Sequence, residues 1–592
     1  MSIYPEATQQ QLNFTEQVCN EMYQTMIQND KKIHVVPARC GFGKGNTQKA
    51  FLNHLLDVDN DDWGNSLLSK GAIFVTDRKS RLEELYSYKN ISKHSYWIRA
   101  ESDCQIPLQE QFVEQQRYPV LLMTTQRYFQ MDSSAIRALK KWRDEEDKEF
   151  ERSVVIFDEK PYFLETMHLD IKNIDRVEAA LFQLPENNLK DTIIGEFTRL
   201  KQEIFQEWSV MTEYLQKHSM KNYTWIVPDR SEVTETKFYK LARQVDLSDN
   251  ILNIITAIRR RKLHGCFYVN QKKGANQDRY YKIPMDNQSK FLTQEFCYWI
   301  FDASACNDIE YKLLADRLPF TYFEVDDKKS ENCQVVLYDY NTSRSSLTVD
   351  REEKLIGYVE TTPVDTVIIT YSTLESKVRK ETQRKKTMHF GDTKGYNDFK
   401  DAANLLQIGL NRQDDLYYLG VYLELYPEEL EKINQMAQDD IVKFIEETTE
   451  LSMGDFVNQC MQEIMISKIS TDFEQNIFRT KLRQFGNNDF VRIEVICSKR
   501  YEKVLTDTLK RYEIIYEIDE EEFHTIKRPR EGSHADKIWN YLDSLASGMA
   551  FTTKDIYAAT GLTKKQFEKA SATYGITEEL AMYRVGRGRY VK

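Results

Sequence analysis

The segment PARCGFGKGNTQKA (37–50) places two glycines, a lysine and a helical pattern directly after a short apolar run, IHVVPA (33–38). Glycines in such a turn let backbone N–H groups face an anion, and a following helix N-terminus adds positive potential. That combination suits the phosphates of a nucleotide. Gly41, Phe42, Gly43, Lys44, Gly45, Asn46 and Thr47 would form the cradle, with Lys44 reaching the β- and γ-phosphates. A second segment, SVVIFDEKP (153–161), ends an apolar strand in two adjacent carboxylates. Asp158 is expected to hold magnesium, directly or through water. Glu159 is expected to polarise the water that attacks the γ-phosphate. The chemistry implied is hydrolysis of ATP with Mg2+.

The loop departs from the usual phosphate-loop pattern at two positions. Ala38 replaces its first glycine, and Gly45 stands where Ser or Thr normally follows the lysine and binds magnesium. The Gly-Lys-Gly order resembles that of small nucleotide kinases. Magnesium must then be held by Asp158, the phosphates and water, or by Thr47 if the helix starts late.

These residues need strands to present them. Residues 8–30 read as a helix. GAIFVT (71–76), PVLLMTT (119–125) and FCYWIFDASA (296–305) are further apolar runs that end in polar residues. Alternation of such strands with helices predicts a parallel sheet with its sites at the strand C-termini. Residues 165–265 break the rhythm and read as a helical insertion, and 265–284 as a hairpin. VVLYDY (335–340), TVIITYS (366–372), MHF (388–390) and LYYLGVYL (416–423) predict a second alternating unit. Residues 431–516 read as a mainly helical connector. The acidic EIDEEE (517–522) and basic KRPR (527–530) mark a linker over 517–533.

The order of these segments over residues 8–425 resembles that of superfamily 2 (DEAD/DEAH-like) helicases. ARCGFGKG (38–45) matches the phosphate-loop motif. FVTDRKSRLEEL (74–85) and MTTQRYF (123–129) resemble the motifs that touch the nucleic-acid backbone. DEKP (158–161) stands where the family has its four-letter acidic box. FDASA (301–305) resembles the motif that couples hydrolysis to movement, through Ser304. VIITYS (367–372) looks like the strand that opens the second motor domain. HFGDTKGYNDFKD (389–401), with Gly391 and Gly395, resembles a further coupling motif. QIGLNR (407–412) resembles the final motif, so the resemblance makes Arg412 the arginine that reaches the γ-phosphate, although the usual pair of spaced arginines is missing there. The fold implied is α/β: two tandem RecA-like motor domains (1–320 and 321–430), the first with the helical insertion.

Residues 534–592 read as three helices and a glycine-turn hairpin, and resemble a winged helix-turn-helix. FTTKDIYAATG is capped by Thr552 or Thr553, and LTKKQFEKASATYG is the third helix. Lys564, Lys565 and Lys569 on or beside that helix, with Arg584, Arg587 and Arg589 on the wing, are expected to contact DNA. A module used only for protein contacts is the alternative. RRRK (259–262) and QKKG (271–274) could line a strand channel or lie on a solvated surface.

Composition bounds the rest. Of 592 residues, 41% are hydrophobic and 29% charged, as in a folded chain without low-complexity tracts. Nine cysteines without a CxxC pair argue against zinc or iron–sulfur and fit a reduced cytoplasm. No apolar run approaches a membrane span, and the N-terminus does not read as a signal peptide. Net charge is −12, so nucleic acid must be met by local basic surfaces. Residues 533–592 carry nine Lys/Arg against six Asp/Glu, leaving −15 for the remainder. The expected function is a DNA-dependent ATPase, a helicase or translocase acting in DNA replication or maintenance, single-stranded DNA lying in the motor and duplex at the C-terminal module. An ATP-gated DNA-binding protein that does not unwind is the alternative.

Overall fold

The computed structural model describes residues 7–592 except 57–69, 132, 230–236, 243, 246, 274–275, 293–294, 328–330, 345, 392–398, 524–531, 547, 573–575 and 587. The first domain contains β1 (Ile33–Val35), β2 (Lys70–Thr76), β3 (Ser95–Trp97), β4 (Val120–Thr124), β5 (Lys141–Arg143) and β6 (Glu149–Phe157). After an insertion with β7 (Leu164–Asp170), β8 (Tyr223–Ile226), β9 (Cys266–Lys273) and β10 (Asn276–Asp286), it resumes in β11 (Cys297–Ile300) and β12 (Phe320–Tyr322). The sheet order is β12-β1-β11-β6-β2-β4-β3, with β5 added antiparallel on β6. All other pairs are parallel. Strands β2, β4 and β6 are buried along nearly continuous Val, Ile, Leu and Phe runs, as strands covered on both faces must be. Helices α1 (Gln9–Ile27), α2 (Lys44–Leu56) and α3 (Lys79–Ser87) lie among those that cover them. Parallel pairing brings the segments after β1, β2, β4, β6 and β11 to one edge, where an open α/β sheet binds its ligands.

The insertion differs from the helical expectation. It has its own antiparallel sheet, β7-β10-β9-β8, against helices Ile171–Phe182, Asn188–His218 and Asp249–His264. The 265–284 hairpin is therefore the centre of that sheet. Within RRRK, Arg261 is only 2% exposed and hydrogen-bonds the Tyr281 hydroxyl at 3.1 Å and Glu207, so it cannot line a channel. The Lys272 and Lys273 side chains and Gly274 lie outside the described residues.

The second domain holds β13 (Cys333–Asp339), β14 (Val367–Thr370), β15 (Thr387–His389), β16 (Asn404–Ile408), the small hairpin β17 (Leu451–Ser452) and β18 (Asp455–Phe456), then β19 (Val491–Cys497) and β20 (Ile515–Asp519). Its sheet runs β15-β14-β16-β19-β13-β20, and every pair is parallel. The two sheets bear out the tandem RecA-like α/β expectation. Boundaries shift, however. Strand β19 sits between β16 and β13, so residues 431–516, with α4 (Gln459–Ile477), belong to this domain and form no separate connector. The expected strand 416–423 is a helix, Asp415–Leu425, capped by Asp414 and buried on several sides. An apolar run of that length has no periodicity to separate helix from strand. Phe523 is buried against Tyr338, Tyr340 and Tyr358, so residues 517–523 belong to this domain and not to the expected linker, of which 524–531 lie outside the described residues.

The C-terminal unit has its own core of Ile538, Trp539, Leu542, Phe551, Ile556, Phe567 and Leu580. Helices His534–Ser544, Thr553–Thr560 and Lys564–Ser571 are followed by a further helix, Ile576–Met582. The expected third helix therefore stops at Ser571, because Ile576 and Leu580 form a buried face of their own. Thr552 caps the second helix through a box with Asp555. Strands β21 (Ala550–Thr552), β22 (Arg584–Gly586) and β23 (Arg589–Val591) close the unit in the order β21-β23-β22. Among the described residues no helix is long and apolar enough to cross a membrane.

Candidate active site between the two sheets

The turn after β1 is fixed from several sides. Phe42 is 1% exposed and packs on Phe14 of α1 at 5.0 Å and on Phe485 at 4.7 Å. Burying such a ring contributes about 2 kcal/mol to anchoring the loop. Phe42 is thus a foot of the loop, and its side chain does not face a nucleotide. Gly41 has φ +84°, and a Cβ there would lie 1.5 Å from the Arg483 carbonyl oxygen. Gly41 is therefore required by the close approach of the second domain. Gly43, at φ +108°, would meet nothing with a Cβ and leaves the face of the loop open. Lys44 begins α2 and donates to Ala38 O at 2.7 Å, which sets its ammonium across the turn. Gln11 Nε2 braces Gly41 O at 3.1 Å.

Asp158 and Glu159 follow β6 at the same edge. Thr76 donates its hydroxyl to Asp158 at 3.2 Å, and Arg78 forms an ion pair with Glu159. Loss of hydration raises the Glu159 carboxyl above the usual carboxylate range; Arg78 and Arg479 pull it back, while Asp158 and Asp77 push it further.

Thr47 does not serve the metal. It is fully buried, its hydroxyl lies 3.0 Å from Thr15 Oγ1 and donates to Gly43 O at 3.2 Å, and α2 starts early, at Lys44. Of the two expected magnesium ligands, the Asp158 carboxylate then remains. That fits magnesium, which keeps several waters and accepts one or two carboxylates plus phosphate oxygens. The position of the missing hydroxyl is crowded by a guanidinium: Arg81 donates to Gly45 O, and a Cβ on Gly45 would stand 3.0 Å from Arg81 Nη2. Gly45→Ser should consequently lower the magnesium concentration for half-maximal hydrolysis only when combined with Arg81→Ala. A lowered requirement in the single variant, read from magnesium titrations, would show that the hydroxyl reaches the metal past Arg81.

Arg412 lies elsewhere. It donates to Gly454 O at 2.7 Å and stacks over Phe456, bracing the β17–β18 hairpin. The arginines beside the loop are Arg479 and Arg483, just after α4. Arg479 is 7% exposed and senses Glu159, Cys40, Arg483 and Arg78. Burial, reinforced by the neighbouring guanidinium groups, lowers its pKa against the pull of Cys40 and Glu159. Arg39 fastens this segment to the loop: buried to 1%, it donates to Leu482 O at 2.8 Å, pairs with Glu331 and stacks on Phe478 and Phe485. The segment FRTKLR (478–483) holds two arginines four positions apart. That spacing was the signal available in the sequence.

Ser304 follows β11 and donates to Asp302 at 2.8 Å. The same segment is tied to α4 through Asn307 Nδ2 to Glu474 at 2.8 Å and through Ser467, whose hydroxyl donates to Asn307 O at 3.0 Å and accepts the Ile309 N–H at 2.9 Å. Lys160, next to Glu159, pairs with Asp308 and Glu310, which also pair with Lys468 of α4. A continuous charge network thus runs from the acidic box to the second domain. No local pattern marks Lys160, Asp308, Glu310 and Lys468 as a unit. Gly391, at φ +96°, follows β15, and Gly395 lies outside the described residues. In the C-terminal unit Lys564, Lys565, Lys569, Arg584 and Arg589 are exposed, and Arg587 lies outside the described residues.

No family model matches the chain, and no curated protein matches it. Among solved structures it is similar to S. tokodaii Xpd4, at 14% identity over 85% of this chain and 100% of that one, with a TM-score of 0.45. An apo XPD structure is 10% identical, with the same two coverages and a TM-score of 0.44. S. cerevisiae Dbp5 bound to RNA and ADP BeF3 is 8% identical over 94% and 98% of the two chains, with a TM-score of 0.35.

Proposed function

We propose that this protein is a nucleic-acid-dependent ATPase of the helicase type that acts on DNA. The observation that carries this is that Arg479 of the second domain lies beside Cys40 and Glu159 of the first, while the Arg483 carbonyl abuts Gly41 of the turn that leads into Lys44. A loose phosphoryl-transfer transition state is stabilised by such surrounding cations. Magnesium, when bound, would neutralise charge on the β- and γ-phosphates, held by Asp158. Lys44 would hold the phosphates, Glu159 would accept a proton from the attacking water, and Arg479 would meet the γ-phosphate from the facing domain. Because Arg479 comes from the second domain, hydrolysis depends on how the two domains meet. The Lys160–Asp308–Glu310–Lys468 network would link the acidic box to that meeting. Steady-state hydrolysis measured with and without single-stranded DNA or RNA tests the reading. Stimulation by DNA supports it, stimulation by RNA alone moves the substrate to RNA, and no hydrolysis favours the ATP-gated alternative.

The DNA assignment leans on the C-terminal unit, which we read as a winged helix-turn-helix. Its exposed lysines Lys564, Lys565 and Lys569 lie on the Lys564–Ser571 helix, and Arg584 and Arg589 lie on the β22 and β23 strands. Replacing Lys564, Lys565, Arg584 and Arg589 with Ala in the full chain should weaken duplex binding. The slope of log affinity against log salt should flatten by about 0.9 for each phosphate that is no longer neutralised. Unchanged duplex affinity and slope would make this unit a protein-contact module.

A further inference from the structure

We propose that Arg78 is a positioning residue that restrains Glu159 until a nucleic-acid phosphate competes for its guanidinium, so that hydrolysis waits for the strand. The proposal rests on the preceding reading of Glu159 as the residue that activates water.

Arg78 stands between the two functions. It immediately precedes α3, and its side chain makes no cap to that helix. Instead it reaches Glu159 in an ion pair, while its own N–H donates to the Thr76 hydroxyl at 3.4 Å. That same hydroxyl donates to Asp158. Arg78 is therefore connected to both carboxylates of the acidic box. A carboxylate that accepts hydrogen bonds from a guanidinium has committed lone pairs that would otherwise take a proton from water. Nothing in the hydrolytic scheme needs this pair, and Arg479 already supplies a cation beside Glu159.

The pair is also open to competition. The Arg78 side chain is 20% exposed and that of Glu159 is 37% exposed. Next to it Lys79 is 60% exposed and pairs with Asp103, a surface pair of small energetic value. Arg127 follows β4, the neighbour of β2, so three basic residues succeed adjacent strand ends at one sheet edge. A chain of net charge −12 must meet a phosphate backbone at such a local surface. A phosphate offers guanidinium the same two-oxygen geometry as a carboxylate, with more charge. Arg78 then has two exclusive partners, and a strand that takes it releases Glu159. The coupling is reciprocal: whatever frees Arg78 from Glu159 improves strand binding.

The test uses the full-length protein, ATP with magnesium, and single-stranded oligo(dT) or oligo(U) as the strand. Arg78→Ala should raise unstimulated kcat about tenfold with KM for ATP unchanged, a modest share of what a freed general base supplies. The ratio of stimulated to unstimulated rate should fall toward one. Oligonucleotide binding should weaken, and its log–log salt slope should fall by about 0.7, the share of one single-strand phosphate. Arg78→Lys should keep part of both the restraint and the stimulation. If Arg78→Ala melts early, Arg78→Gln carries the same readouts. The proposal is overturned if the variant keeps the parent's unstimulated rate and stimulation, if the salt slope is unchanged, or if a folded, ATP-binding variant hydrolyses nothing, since Arg78 would then be a ligand of the phosphates. Glu159→Gln separates the two layers. Loss of turnover in Glu159→Gln with an unaltered Arg78→Ala overturns only the restraint. Parent-level turnover in Glu159→Gln, or a parent that hydrolyses no ATP, overturns the underlying reading and the restraint with it.

Discussion

Replacing Arg479 with Ala will lower the rate of ATP hydrolysis by about 10³-fold while leaving ATP affinity within a few fold, because an arginine from a facing domain acts mainly on transition-state charge. Arg479 is almost fully buried between the domains, near Glu159 and Arg483. Its neighbours are held by Arg39, so removing its guanidinium should leave the contact between the domains in place. Arg412→Ala is the matched comparison. It loses its bond to Gly454 and its stack on Phe456, and should disturb the hairpin without a comparable loss of turnover. Phosphate release and binding of a fluorescent ATP analogue measure the two quantities. An Arg479→Ala protein that hydrolyses at the parent rate, or an Arg412→Ala protein that loses turnover alone, would return the role to Arg412.

Lys44→Ala and Glu159→Gln should fail in different ways. Lys44 sits at the first position of α2, directly after Gly43, and its ammonium donates to Ala38 O. Its removal deletes the cation nearest the phosphates, so ATP binding weakens and hydrolysis is abolished. Glu159→Gln keeps the size of the side chain and removes only its charge and basicity. It should bind ATP as tightly as the parent and turn over about 10²- to 10³-fold more slowly. Melting curves for both variants should match the parent, because neither side chain supports a core cluster. Hydrolysis at the parent rate by Lys44→Ala would remove the nucleotide from this loop.

The strands that end in chemistry were legible because they are continuous apolar runs closed by polar residues, as in SVVIFDE. Glycine spacing likewise located the loop, although the reason for Gly41 lies in a carbonyl from residue 483, which no local pattern reveals. The helix Asp415–Leu425 carries no periodicity that separates it from a strand, and the end of the second domain is set by β19 and β20, far along the chain from it. Once β16 and the long α4 are in place, the facing arginines fall after α4, some 70 residues beyond Arg412. The buried charges that join Lys160 to Lys468 could not be read at all, since their partners meet only through the tertiary fold. Conversely, Thr552, Thr563 and Gly561 bound two of the C-terminal helices by local capping rules that the sequence displays.

The account stands most directly on where the γ-phosphate lies. A structure of the protein with magnesium and a non-hydrolysable ATP analogue should place that phosphate within hydrogen-bonding reach of both Lys44 Nζ and the Arg479 guanidinium, with Asp158 toward the metal. An analogue seated away from the Gly41–Lys44 turn, or one contacted by Arg412 in place of Arg479, would contradict it.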